Sequence, residues 1–346
     1  MTERIGFACK YMYEDQTLKK KQLEEIQRPL TEKCTTITWL NRQTRDVAEQ
    51  RLWDIMEHNG AAAKRLVEYV GGLPDGLRMV RLGSNQLPAY TQHDWSYFWR
   101  KSDVRQRAER LYGEVGATAR ELDVRVSMHP GQFTVLASID EDIVNRSIEE
   151  FEYHADIARW MGYGNEFQDF KINVHISGKK GPEGIKECLP RLSPEARNTI
   201  TIENDENSWG LEASLELSGH CALVLDIHHH WVKTGEYIQP DDDRVKRVIG
   251  SWRGVRPTMH YSLCREDLLV DHNPTMLPDM DSLLGLGFKK AKLRAHSDMC
   301  WNTACNDWAL SFSPDFDIMV EAKLKNLAQH QLYDQHRKNL LNYCHK

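Results

Sequence analysis

Histidines and carboxylates recur in this 346-residue chain at the ends of short apolar runs. His129 closes SMHPG, His175 lies in NVHISG, Glu203 in TIENDE, and Asp226 precedes His228, His229 and His230 in LVLDIHHH. His260 follows in PTMHYS and Glu321 in IMVEAK. Taken one at a time, a strand-end histidine is ordinarily a satisfied, partly buried imidazole. Taken together these residues resist that reading. Six successive strand ends delivering imidazoles and carboxylates to one rim would bury polar groups at several kcal/mol each unless something compensates them. Divalent cations do so, and imidazole with carboxylate suits zinc, manganese or iron. The absence of cysteine from the set argues against a structural zinc site. More than four ligands implies more than one ion, and two ions ~3.5–4 Å apart is the arrangement used for phosphodiester hydrolysis. Such a pair needs a bridging carboxylate, for which Glu203, central in the set, is the choice.

The elements that must present these residues follow from periodicity. Apolar runs at 4–9, 78–83, 124–129, 171–176, 199–203, 222–226, 257–261 and 317–321 read as buried strands. Helical spacing separates them. Leu52, Ile55, Met56, Ala63, Leu66, Val67 and Val70 share one helical face; Val104, Ala108, Leu111, Val115 and Leu122 share another. Eight strands alternating with helices predict an α/β fold, a (β/α)8 TIM barrel, whose chemistry lies at the carboxyl ends of the strands. A doubly wound open sheet is the alternative, but no G-x-G-x-x-G follows the first strand. With no repeat or linker, residues 1–346 are expected to form one domain.

The composition is that of a folded protein, with 40% hydrophobic and 28% charged residues. The eight cysteines are scattered without a CxxC pair, so reduced thiols and a cytoplasmic setting are expected. The N-terminus MTERIGFACK carries charges where an export signal needs an apolar core. A net charge of −6 counts mildly against a polyanionic partner. Local basic clusters can override the total: Lys19 to Lys21, Arg42 with Arg45, Arg100 with Lys101 and Arg105, Lys179 with Lys180, and Lys289 to Arg294. Each alone reads as a solvated face.

In order, IGF at 5–7, RLGS at 81–84 with His93 downstream, MHPGQF at 128–133, NVHISGK at 173–179 and IENDENSW at 202–209 are followed by LDIHHH, PTMHYS, RAHSD at 294–298 and DIMVEAK at 317–323. This series resembles the ultraviolet-damage endonuclease family, within the xylose-isomerase-like and endonuclease IV-like barrels. The resemblance implies that His129, His175, Glu203, Asp226, His229, His260, His296 and Glu321 are metal ligands, with His272 as the fallback for His296. It implies two or three divalent ions, manganese first, zinc or magnesium next. Glu203 and His93 would serve catalysis, and Gln132, Phe133, Phe7 and Lys179 the DNA or its lesion. His228 and His230 would pack or support. The implied activity is a nick 5′ to ultraviolet photoproducts or other distorting lesions in double-stranded DNA, by a monomer, in the cytoplasm and on the nucleoid if the source is bacterial. An abasic-site endonuclease and a sugar isomerase or epimerase on the same barrel are the alternatives.

The chain departs from the family pattern at four places. Phe133 and Phe7 stand where the family commonly has tyrosine, and Thr258 stands where it has a metal-associated lysine, which puts a third ion in doubt. The stretch 262–295 between strands seven and eight is a long insertion.

Overall fold

The computed structural model describes residues 3–344. Eight short strands lie in one parallel sheet: β1 (Ile5–Ala8), β2 (Met79–Arg81), β3 (Arg125–Met128), β4 (Lys171–His175), β5 (Ile200–Glu203), β6 (Ala222–Val224), β7 (Thr258–Tyr261) and β8 (Asp317–Val320). Consecutive strands pair from β1 to β6 and from β7 to β8, and β1 also pairs with β8. The seam between β6 and β7 is closed by a parallel bridge from Asp226 to His260, where the His260 N–H donates to the Leu225 carbonyl at 3.0 Å. The result is a (β/α)8 barrel, as the alternation of strands and helices predicts. All eight expected strands overlap the observed ones, because parallel strands buried on both faces read as near-continuous apolar runs.

The helices face the barrel with the predicted stripes. Leu52, Ile55, Met56, Ala63, Leu66, Val67 and Val70 of the helix Arg45–Gly71 are all buried. Within the barrel, Ala8, Met79 and Met319 form a separate small cluster. Gly6 belongs to this interior layer, since a Cβ there would lie 2.7 Å from the Met79 Cε. Its neighbour Phe7 therefore faces the opposite way. Phe7 is in register with Val80 and Val320, shares their apolar cluster and is 0% exposed. This corrects the expectation that Phe7 contacts DNA: side chains alternate along a strand, and the small residues Gly6 and Ala8 take the crowded inside.

The insertion leaves β7 and returns to nearly the same point. Cys264 and His296 form an antiparallel bridge, Ser297 N–H donates to the Leu263 carbonyl at 2.9 Å, and Trp301 Nε1 donates to the Cys264 carbonyl at 2.8 Å. Between these pins run a 3-10 turn (Glu266–Leu268) and two short helices, Met280–Gly285 and Lys290–Leu293. Pinning both ends fixes His296 on the barrel rim, although it comes from a loop of its own. None of the described helices is long and apolar enough to cross a membrane.

Candidate metal centre

The carboxyl ends of the strands bring the predicted ligands together. His175 and Glu203 are register partners across β4 and β5. Asp226 ends the β6 run and caps the helix Ile227–Thr234, its Oδ1 accepting from the His229 N–H at 2.7 Å. One aspartate thus sets the helix start and, three residues on, the direction of His229.

Glu203 is fully buried at the centre. Its Oε2 lies 3.5 Å from His129 Nε2 and 3.7 Å from His175 Nε2. Its Oε1 lies 3.0 Å from His260 Nδ1, which is itself 3.3 Å from Glu321 Oε1. Two groups of atoms result, each mutually within 4.8 Å: His129, His175 and Glu203 in one, Glu203, Asp226, His260 and Glu321 in the other. Glu203 is common to both, the position a bridging carboxylate requires. His229 and His296 fall outside these groups but line the same cavity of about 660 Å³. His229 Nε2 is 3.8 Å from Asp226 Oδ2 and 3.6 Å from Glu206 Oε2.

Four imidazoles are oriented alike. His129 Nδ1 faces the Pro130 carbonyl at 2.7 Å, and His175 Nδ1 faces Asp205 Oδ2 at 3.1 Å. His229 Nδ1 faces the Asn204 carbonyl and His296 Nδ1 the Glu321 carbonyl, both at 2.9 Å. An oxygen partner at Nδ1 makes that nitrogen the donor, so that Nε2 offers a lone pair to the cavity whenever the ring is neutral, the arrangement found behind metal-bound histidines. His260 is reversed: Nδ1 points at Glu203, and Nε2 meets the ammonium of Lys171 at 2.9 Å.

The electrostatics call for a cation. Asp226 Oδ2 is buried without a hydrogen-bond partner, and burial, aggravated by Glu203 and Glu321, pushes the carboxyl up to about 8. Burial opposes charge on His175 and His229 too, but the carboxylates around them outweigh it and raise these imidazoles to about 9 and about 10. Glu203 and Glu321 are held well below the carboxylate range against the cost of burial, Glu203 first by His260 and His175, Glu321 first by Arg81. Protons on Asp226, His175 and His229 are doing here what divalent ions would do better. The donor set fits such ions.

Several site residues escape a reading for metal ligands alone. Arg81, at the end of β2, pairs with Glu321 and is almost enclosed. Asn173 donates to Glu203 Oε2, and Asp205 and Glu206 line the cavity. Lys171 is 3% exposed and, through burial first and Arg81 second, lowered to about 7. A signal for them exists: Lys171, Asn173 and His175 alternate with apolar Ile172 and Val174, so all three face inward. The lysine expected at 258 is Thr258, buried in β7; a lysine reaches His260 from β4 instead.

The remaining expectations divide. Gln132 lines the cavity, and Phe133 beside it is 85% exposed, the highest among the large apolar side chains of the described residues. Lys179 is exposed on the loop after β4, where the adjacent Gly178 packs at φ +99° against Ala137. His93 stands away from the centre: its side chain is fully exposed, pairs with Asp94 at 3.2 Å and does not line the cavity. The structure thus corrects the catalytic expectation for His93, whose position in a surface turn after β2 puts it in water. His272 faces the Met276 carbonyl within the insertion, which leaves His296 as the rim histidine. His228 stacks on Trp231 and His230 meets Glu236 Oε2 at 2.9 Å, both away from the cavity wall.

The family model described as UV-endonuclease UvdE matches residues 3–344. A UV-damage endonuclease of Schizosaccharomyces pombe is 27% identical over 345 residues, covering 95% of this chain and 50% of that protein. A UV DNA damage endonuclease of Bacillus cereus is 24% identical, covering 88% of each. The chain therefore spans about half the length of the first relative and most of the second. The crystal structure of SacUVDE superposes with a TM-score of 0.70 at 22% identity over 99% of both chains, a likeness of fold.

Proposed function

Given that this chain belongs to the UV-endonuclease UvdE family, we propose that it is a metal-dependent DNA-repair endonuclease. The substrate is double-stranded DNA carrying ultraviolet photoproducts or other distorting lesions, cut on the 5′ side of the lesion to leave a 3′-hydroxyl and a 5′-phosphate. The observation that carries the reading is Glu203, whose carboxylate is shared by two groups of ligand atoms.

In this reading His129, His175 and Glu203 would hold one divalent ion, and Glu203, Asp226, His260 and Glu321 a second. His229 and His296, on the same cavity wall, serve a third or complete the second. Manganese is the first candidate, zinc or magnesium the next. Bound ions supply Lewis acidity toward the phosphate and acidify a water. The chain does the rest. Nδ1 contacts hold four imidazoles with Nε2 free, Asn173 fixes the Glu203 carboxylate, and Lys171 fixes the His260 ring. Arg81 restrains Glu321 and adds a fixed positive charge at the cavity wall.

Lesion choice falls to Gln132 and Phe133. A damaged duplex is cheaper to kink and unstack, and an exposed ring beside the cavity can fill the opened step. Lys179 contributes a phosphate contact from the neighbouring loop, and the working species is a monomer. The test is nicking of irradiated and undamaged supercoiled plasmid, each with Mn2+ and with chelator. Nicks confined to irradiated DNA plus metal support the reading. Equal nicking of both plasmids, or undiminished nicking in chelator, refutes it.

A further inference from the structure

The metal-centre cavity does not end at the barrel rim. A second cavity of about 570 Å³ lies on the insertion, lined by Arg265, Asp267, Leu268, Phe288, Lys289 and Lys292. Ala291 and Ala295 line both. Ala291 lies in the helix Lys290–Leu293 and Ala295 just past its C-cap Arg294, and the wall shared by the two cavities is a ridge of their methyl groups. Any longer side chain there would separate them.

The chemistry of the second cavity is uneven in an informative way. Arg265 is occupied by Asp267, Arg294 on the ridge by Glu206 at 3.2 Å, and Lys290 by the Lys233 carbonyl at 2.7 Å. Lys289 and Lys292 are exposed and pair with no carboxylate among the described residues. Leu268 and Phe288 pack against the main core and line the same cavity, which thus pairs an apolar floor with two ammonium groups that hold no carboxylate among the described residues. A floor for stacking with cations at its edge suits a nucleic-acid strand, which offers a flat base and a charged phosphate at each step.

We infer that the insertion forms a second DNA subsite, continuous with the metal centre across the Ala291–Ala295 ridge, in which Lys289 and Lys292 hold phosphates of the strand flanking the lesion. This rests on the endonuclease reading and extends it: the insertion lengthens the footprint on one side of the cut. Neither lysine touches the metal centre, so both act on substrate binding and not on the chemical step.

The test is nicking kinetics of lesion-containing duplexes across a salt series, for wild type and for Lys289→Glu/Lys292→Glu. Each phosphate contact contributes ~0.9 to the log–log salt slope of duplex binding. The double variant should lower the slope of kcat/KM by ~1.8 while kcat and thermal stability stay unchanged. Ala291→Trp, which raises the ridge without altering charge, should also raise KM. Wild-type substrates shortened stepwise on either side of the lesion locate the contact. In one series the wild type should lose the same increment of slope, and the double variant should lose none. An unchanged slope, a fall in kcat alone, or an equal loss at every duplex length (a diffuse field effect) overturns the subsite. If the wild type fails to nick damaged duplex, the endonuclease reading itself fails. If wild type nicks and the variants match it, only the subsite fails.

Discussion

Metal removal should leave a protein whose stability falls as pH rises through neutrality, and metal should abolish that fall. The sign follows from which state holds more protons. Below about pH 6.5, buried histidines dominate: His260 and His154 are each lowered to about 4 by burial, so the unfolded chain binds protons that the fold refuses. Stability therefore climbs as pH rises toward 6.5. Above that point the balance reverses. His175 at about 9, His229 at about 10 and Asp226 at about 8 keep protons that the unfolded chain has released. Their stabilisation, complete at lower pH, is lost as pH approaches those values. Lys171 opposes them, giving up its proton near 7 while the unfolded lysine keeps it. Three retained protons less one leave roughly two net protons once the histidines of the unfolded chain have titrated. The decline between pH 6.5 and 8 should therefore be on the order of a few kcal/mol. Urea unfolding of chelator-treated protein should show a maximum near pH 6.5 and this decline beyond it. Saturating Mn2+ displaces the protons from the ligands, so the loaded protein should gain stability across the same range. Asp226→Asn should flatten part of the decline in the metal-free protein. A flat or rising profile from pH 6.5 to 8 without metal, or the same decline with and without it, would refute the reasoning.

Glu203→Gln should cost more metal than any other single ligand change, because one carboxylate serves both groups. Elemental analysis should find at most one equivalent, against a loss of one for Asp226→Asn; equal losses in the two variants would show that Glu203 does not bridge. Phe133→Ala should leave the melting temperature unchanged, since the ring is 85% exposed and packs against little. Base stacking worth ~1–3 kcal/mol corresponds to a roughly five- to 150-fold loss of affinity for damaged duplex. Equal losses on damaged and intact DNA would remove Phe133 from lesion recognition.

The strand ends were legible because a parallel barrel imposes two strong patterns at once. Both faces of each strand are buried, which writes an apolar run, and chemistry is confined to one rim, which writes a polar residue at the end of each run. His129, His175, Glu203, Asp226, His260 and Glu321 carry both patterns, and the structure brings them into two groups sharing one residue. Where the reading faltered, a third variable decided the outcome: which side of the strand a residue faces. Phe7 lies in a matching motif, yet Gly6 and Ala8 take the interior and turn its ring outward into the core. Lys171 shows the converse. Inside an apolar run it looks like a strand-start cation, but it shares the inward parity of Asn173 and His175 and reaches His260 across the barrel at 2.9 Å. No local pattern pairs residues 89 positions apart, so only closure of the sheet reveals the contact. The same holds for His296, whose place on the rim depends on the Cys264–His296 bridge at the base of the insertion. Type and spacing thus locate the candidate ligands, while parity and closure decide which polar groups support them. A charge-balanced centre needs both: Arg81 and Lys171 are fixed cations set among carboxylates that still leave Asp226 Oδ2 without a partner. A centre assembled only from its candidate ligands would have that excess of negative charge and nothing to hold the carboxylates and imidazoles in place.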